Sequence, residues 1–219
     1  MTSIAIDGPS GVGKSTLARA AAKKLGYIYI DTGAFYRAVA LFMLRNGVDV
    51  NDPDMVERLL PRVCLEIAYL SGEQRIFLNG EDVSESIRTP EVTRAVSPVS
   101  AIGSVRKHMV AQQQELARNV DVIMDGRDIG TVVLPDAAYK IFLTARDEVR
   151  AERRYKEYIA NGQSVSYDEV LKDIRARDYY DSNREITPLR AAEDSIILDT
   201  SDMNFEQVLS HLLLIAKGN

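Results

Sequence analysis

The sequence predicts an α/β fold: a five-stranded parallel sheet with helices on both faces, a β-rich insertion and a helical lid. Three observations predict it. Short apolar runs alternate with helical periods along most of the chain. The first such strand enters its helix through Gly8-Pro9-Ser10-Gly11-Val12-Gly13-Lys14-Ser15, which satisfies the phosphate-loop pattern G-x-x-x-x-G-K-[ST]. One segment, from about Val63 to Val83, breaks the alternation with paired short β-like runs.

Taken in order, Ser3–Asp7 reads as a buried strand. After the loop, Leu17, Ala21 and Leu25 fall on one helical face, with Ala18 and Ala22 beside them. Tyr27–Asp31 is the second strand, and Ala34–Arg45 its helix, closing at Asn46-Gly47. Leu65–Tyr69 and Arg75–Leu78, with turn chemistry at Ser71-Gly72 and Asn79-Gly80, predict an inserted antiparallel meander. A helix over Val105–Arg118 precedes the third strand, Val120–Asp125. Tyr139–Thr144 is the fourth strand, followed by a helix over Asp147–Ala160. Asn161-Gly162-Gln163-Ser164 is a polar turn between two helical patterns. Ser195–Asp199 is the fifth strand and Phe205–Ala216 the closing helix.

A chain of 219 residues, 46% hydrophobic and 27% charged, suits one α/β domain, residues 1–219, with small insertions. The net charge of −5 argues against a nucleic-acid partner, which requires a basic surface. The longest apolar stretch, Leu212–Ala216, is too short to span a bilayer. Seven residues precede Gly8, too few for a secretory apolar region. Cys64 is the sole cysteine, so no intrachain disulfide can form and a reducing cytoplasm is expected. Its neighbours Val63, Leu65 and Ile67 predict a small buried hydrophobe there. A soluble cytoplasmic monomer with no membrane partner is the expectation.

The loop carries the chemistry. Its glycines let backbone N–H groups close around phosphate oxygens, and the helix N-terminus adds its positive dipole end. Lys14 would reach the β- and γ-phosphates of ATP, and the Ser15 hydroxyl would sit on Mg²⁺, with Thr16 adjacent. A phosphate loop alone leaves GTPases, transport ATPases, sulfotransferases and small-molecule kinases open. No guanine-reading Asn-Lys-x-Asp is present, which favours a kinase. A nucleotide-dependent binding switch on ATP or GTP, and a kinase for another monophosphate, stay open as alternatives.

Two further segments sit where strands end. Asp31-Thr32-Gly33-Ala34-Phe35-Tyr36-Arg37 follows the second strand, and Asp125-Gly126-Arg127-Asp128-Ile129-Gly130-Thr131 the third. In open α/β sheets, ligands bind beyond the carboxyl ends of strands. Arg37 and Arg127 suit bidentate contact with a phosphate, while Asp31 and Asp128 can accept from a base or sugar. Residues 146–190 hold eight arginines and two lysines against ten acids, a balanced segment and no polybasic tract. Within it Arg150, Arg153 and Arg154 share one helical face, an arrangement that can clamp phosphates when a lid closes. His108 and His211 have no nucleophile or metal partner and are expected on helix surfaces.

In these motifs the chain resembles bacterial cytidylate kinases, from Ile4 to the last helix. The resemblance rests on the loop, the 31–37 segment, Ile87-Arg88-Thr89-Pro90-Glu91-Val92, the 125–131 segment with Pro135-Asp136-Ala137, and Arg177-Asp178-Tyr179-Tyr180-Asp181-Ser182-Asn183-Arg184. Thr32 stands where Ser is expected in many relatives, and both keep a hydroxyl. The resemblance implies a P-loop kinase fold, with a monophosphate-binding insertion at about 63–100 and a lid at about 150–168. It implies transfer of the ATP γ-phosphoryl to CMP or dCMP. Lys14, Arg127, Arg153 and Arg154 would then neutralise charge on the transferred group, and Gly8 to Thr16 would hold ATP. Arg37, Arg127 and Arg184 would hold the CMP phosphate, with Thr32, Tyr36 and Asp125 nearby. Ser97, Arg106 and Asp128 would read the base, and Arg177 and Asp181 would reach the ribose.

Overall fold

The computed structural model describes residues 1–70, 72–160 and 162–218. Ser71 and Asn161, which belong to two of the expected turns, lie outside the described residues. Backbone contacts divide the chain into two compact units: Met1–Tyr29 with Asn119–Asn219, and Ile30–Arg118.

The first unit is built on the parallel sheet. Its strands are β1 (Ser3–Asp7), β2 (Ile28–Asp31), β6 (Val122–Gly126), β7 (Tyr139–Thr144) and β8 (Ile196–Asp199), in spatial order β2-β6-β1-β7-β8. β2 starts in this unit and runs into the next. Ile4 and Ile6 of β1, Ile123 of β6, and Ile141 and Leu143 of β7 are fully buried or nearly so, as a strand covered on both faces requires. They share a core with Leu17, Ala18 and Ala21 of α1 (Lys14–Leu25) and with Val208, Leu209 and Leu212 of α8 (Phe205–Ile215). β1 is therefore the central strand, and the phosphate loop springs from its carboxyl end. β1 pairs in parallel with β6 on one side and β7 on the other, placing Asp7 opposite Gly126 and Phe142. The chain thus leaves β1 for one side of the sheet and later returns to the other. That reversal is where ligands bind in doubly wound sheets.

The same unit carries a helical hairpin, α6 (Asp147–Ala160) and α7 (Tyr167–Asn183). Ala151, Val170 and Ile174 form its small core, with Tyr155, Tyr158 and Tyr167 packed around them. Ser166 and Glu169 form a complete capping box at the start of α7, which fixes where that helix begins.

The second unit holds α2 (Thr32–Arg45), α3 (Pro53–Leu59), a three-stranded antiparallel sheet, α4 (Pro90–Ala101) and α5 (Gly103–Ala117). The sheet is the expected meander: β3 (Leu65–Leu70), β4 (Glu73–Leu78) and β5 (Glu81–Asp82), in order β3-β4-β5. Asn79 and Gly80 both have positive φ, 51° and 84°, the geometry of a tight hairpin turn. α2 packs chiefly on α4, and Ala38, Val39 and Met43 of α2 and Val92 and Val99 of α4 are buried. Two helices were missed by sequence. α3 has both start signals, the Asp52 cap and Pro53 at its first position, but spans only seven residues. α4 likewise starts at Thr89-Pro90, but Pro98 inside it interrupts the helical pattern.

One residue-level expectation fails. Cys64 is exposed. It precedes β3, and the alternation of side chains buries Val63 instead; only the Cys64 backbone is engaged, with Asn79.

Candidate functional site

The phosphate loop begins by necessity at a glycine. Gly8 has φ 148°, and a Cβ there would meet the Leu143 carbonyl oxygen at 2.2 Å. The loop closes with Gly13 at φ 96°, capping α1. Lys14 folds back over the loop, its Nζ donating to the Pro9 carbonyl at 2.7 Å, and is 6% exposed. Burial, and then the nearby Arg127, push the Lys14 ammonium well below its ordinary pKa. A buried cation destabilised in this way gains most from an arriving polyphosphate.

Ser15 and Asp125 face each other across α1 and β6. The Ser15 hydroxyl donates to Asp125 Oδ2 at 2.9 Å, and Tyr29 Oη donates to Oδ1 at 2.7 Å. A hydroxyl beside an anchored carboxylate is an all-oxygen donor pair of the kind that suits Mg²⁺. Among the described residues no group of three or more His, Cys, Asp or Glu gathers elsewhere as a metal site.

Next to the loop the first unit assembles a charged cluster from the two motif segments expected to matter. Arg127 Nε donates to Asp181 Oδ2 at 2.8 Å, and Arg184 lies 3.9 Å from Asp128. Burial raises the Asp181 carboxyl, but Arg127, Arg177 and Arg184 outweigh it and hold it below the usual carboxylate range. Arg177 acts on both Lys14 and Asp181, so loop and cluster share one electrostatic field.

Asp7 was missed as a site residue because it reads as a strand end. It is 5% exposed and accepts from Ile129 N and Gly130 N, both at 2.8 Å. One carboxylate thereby fixes the turn that follows Arg127 and Asp128. Burial pushes its pKa up to about 6 despite those two bonds. An acid placed directly before the first loop glycine was the available signal.

The three hairpin arginines do not act as one face. Arg153 donates to Thr200 Oγ1 at 3.1 Å, to the Thr200 carbonyl at 2.7 Å and to the Val12 carbonyl at 3.5 Å. Arg154 lies over the Tyr158 ring, 4.9 Å from its centroid, and pairs with Glu157. Arg150, expected with them as a phosphate clamp, is buried and grips backbone carbonyls at Ala145 and Ser10 instead.

In the second unit the predicted residues fall into two groups. Asp31 caps α2 through Ala34 N, which buries Thr32 at the first helical position. Arg37, one turn on, donates to Thr93 Oγ1 of α4 at 3.0 Å. Arg106 of α5 is 3% exposed, lies 5.3 Å over the Tyr36 ring and donates to the Ser100 carbonyl. Ser97 accepts from Ser100 through its carbonyl. Arg106 thus stands against the Tyr36 ring and the end of α4 that carries Ser97 and Ser100, and His108 is exposed as expected.

Comparison with known proteins agrees with these motifs. The family model described as Cytidylate kinase matches residues 4–218. A protein of Carboxydothermus hydrogenoformans named Cytidylate kinase is 49% identical, covering 97% of this chain and 96% of its own length. One of Caldicellulosiruptor bescii with the same name is 50% identical, covering 96% and 93%. In fold the chain is similar to the crystal structure of a gluconokinase from Sinorhizobium meliloti, with a TM-score of 0.50, 16% identity, and coverage of 99% and 94%. With its phosphate loop and both flanking motifs in place along a near-complete match, the chain belongs to the cytidylate kinase family.

Proposed function

We propose that this chain transfers the γ-phosphoryl group of ATP to CMP, and to dCMP, giving ADP and CDP or dCDP. The observation that carries the reading is the match to the cytidylate kinase family over residues 4–218. The phosphate loop with its buried, electrostatically strained Lys14 supports it independently.

The acceptor is a phosphate oxygen already ionised near neutral pH, so no strong general base is needed. What the protein must supply is placement of the reactants and neutralisation of charge on the transferred group. Lys14 meets the donor phosphates; Arg127, Arg153 and Arg154 supply further positive charge. Arg153 must exchange its Thr200 contacts for phosphate to do so. Ser15 would hold Mg²⁺, with Asp125 helping to order it, and the ion would supply charge neutralisation on the phosphates.

For the acceptor, the second unit offers Thr32, Tyr36 and Arg37 toward phosphate and Ser97 and Arg106 toward the base. The first offers Arg127 and Arg184 toward phosphate, Asp128 toward the base, and Arg177 and Asp181 toward ribose. Cytosine presents an N4 donor beside N3 and O2 acceptors, which Asp128 and Arg106 complement. Uracil reverses that polarity at two of the three positions, so a site of this composition rejects it more strongly than shape alone would. The role is that of a cytoplasmic, monomeric enzyme of small molecules; among the described residues no helix is long and apolar enough to cross a membrane.

The test is a coupled ADP-release assay with ATP and each of CMP, dCMP, UMP, AMP and GMP. Turnover with CMP and dCMP far above the others is expected. Turnover with GMP or AMP in place of CMP would refute the reading.

A further inference from the structure

The helical hairpin and the tip of the phosphate loop are held together at one peptide. Arg150 Nη1 donates to the Ser10 carbonyl at 3.0 Å, and Ser10 N donates to Asp178 Oδ1 at 3.4 Å. The two side chains that take the two ends of this residue also pair with each other, Arg150 Nη1 lying 2.5 Å from Asp178 Oδ2. Arg150 is 3% exposed, and its remaining N–H groups go to the Ala145 carbonyl and to Asp147. At the next loop residue, Gly11, an added Cβ would lie 3.3 Å from the Arg150 carbonyl and 3.4 Å from Ile174. α6 and α7 therefore both pack closely on the loop tip, so that an added Cβ would require them to shift slightly.

Asp178 is not isolated on α7. Arg177 precedes it, and Asp181, three residues on, is bonded to Arg127. Residues one helical turn apart on a rigid helix move together. A change in the Ser10 peptide, such as the loop closing on phosphate, would thus reach the helix that carries Arg177 and Asp181.

We propose that Arg150 and Asp178 are positioning residues that clasp Ser10, so that the shape of the phosphate loop and the placement of Arg177 and Asp181 are set together and donor and acceptor bind synergistically. The proposal rests on the reading above, in which Arg177 and Asp181 serve the acceptor nucleotide. Neither Arg150 nor Asp178 touches substrate in this scheme; they act through Ser10 and α7. For the sites to be coupled the clasp needs two arrangements, made, as it is in this structure, and broken.

The experiment measures the dissociation constant of CMP with and without a non-hydrolysable ATP analogue and Mg²⁺, in the wild type and in Asp178→Asn. The Asn keeps an acceptor for Ser10 N but drops the charge that holds Arg150. The wild type is expected to bind CMP about fivefold or more tighter with the analogue, the lower range of measured couplings. In Asp178→Asn that ratio falls to within about twofold of one. Should this variant lose its melting transition, Arg150→Met/Asp178→Leu replaces the pair without leaving a lone buried charge, and the same collapse is expected. A folded variant that keeps the wild-type ratio overturns the clasp, as does a wild-type ratio of one. Absence of CMP turnover in the wild type refutes the kinase reading itself, whereas turnover with undiminished synergy in the variants refutes only the clasp.

Discussion

Ser15 Oγ and Asp125 Oδ2 stand 2.9 Å apart, with the hydroxyl donating, although 110 residues separate them in sequence. Parallel pairing of β1 and β6 sets Asp125 beside Ile6, so the loop that follows β1 delivers Ser15 to the end of β6. Tyr29 Oη holds the other carboxylate oxygen. The carboxylate is therefore held on both oxygens, the preorganisation that the Mg²⁺ site proposed here would need.

Removing either side should raise the Mg²⁺ concentration needed for activity. Ser15→Ala deletes the hydroxyl, and a loss of about 10- to 100-fold in kcat/KM at fixed Mg²⁺ is expected. Tyr29→Phe leaves both proposed donors but frees the Asp125 carboxylate, and should shift the Mg²⁺ titration more weakly in the same direction. The titration of steady-state rate against Mg²⁺ checks both. Midpoints identical to wild type would remove Ser15 and Asp125 from the metal's environment.

Asp7 predicts a pH dependence of stability. Its folded pKa, about 6, lies above the ordinary value of 3.8, mainly because burial disfavours the charge. An acid shifted in this direction adds stability that is fully present below the unfolded value and lost as pH rises through the folded one. The groups that face it, Asp128 raising and Lys14 lowering its pKa, are weaker influences than burial. The wild type should therefore lose about 3 kcal/mol relative to Asp7→Asn between pH 3 and 7, at 1.36 kcal/mol per unit of pKa shift. Above that range the difference should be level. Denaturant melts of both proteins at half-unit pH steps measure it; a difference constant from pH 4 to 7 would contradict the burial-driven shift.

Gly8 and Gly13 separate two reasons for glycine. Gly8→Ala drives a methyl group into the Leu143 carbonyl, whereas at Gly13, also at positive φ, nothing lies within 4 Å of the added carbon. Gly13→Ala should cost about 1 to 2 kcal/mol of backbone strain alone. Gly8→Ala should cost about 4 kcal/mol or more, since β7 itself has to move. Chemical denaturation of the two variants side by side gives the comparison, and equal losses would mean that the strand yields freely.

Much of this architecture was legible in the sequence because the parallel strands are short runs rich in apolar residues, and all but β7, which ends at Thr144, are closed by Asp or Gly. The helical hairpin was legible for a different reason: apolar residues recur at helical spacing on both sides of a polar turn. The destinations of charged side chains were not. Arg150, Arg153 and Arg154 have the spacing of a single clamp, yet Arg150 reaches the Ser10 carbonyl 140 residues away and Arg153 reaches Thr200. Periodicity says which face a residue occupies, but what covers that face is set by the tertiary fold. Asp7 hid for a related reason, because its partners are backbone N–H groups, which carry no residue identity. Cys64 shows the limit of local pattern: an apolar neighbourhood in sequence does not bury a residue when strand alternation points it outward.

Arg37 and Arg153 should divide binding from chemistry. Arg37 sits on the first turns of α2, held by Thr93 Oγ1 at 3.0 Å, and is proposed to hold the CMP phosphate. A contact made equally in the ground and transition states changes KM and leaves kcat. Loss of one charge-assisted interaction is worth about 1.5 to 3 kcal/mol, so Arg37→Ala should raise KM for CMP about 10- to 100-fold. Arg153 instead starts on Thr200 and Val12 and must leave them to meet the transferring group. Its interaction with phosphate is then greatest where charge develops, so Arg153→Ala should lower kcat by roughly 10²-fold, with a smaller change in KM. Steady-state kinetics with each substrate varied in turn resolves the two effects. Equal rises in KM with kcat unchanged in both variants would place Arg153 among the ground-state contacts and leave Lys14 and Arg127 to carry the charge of the transition state.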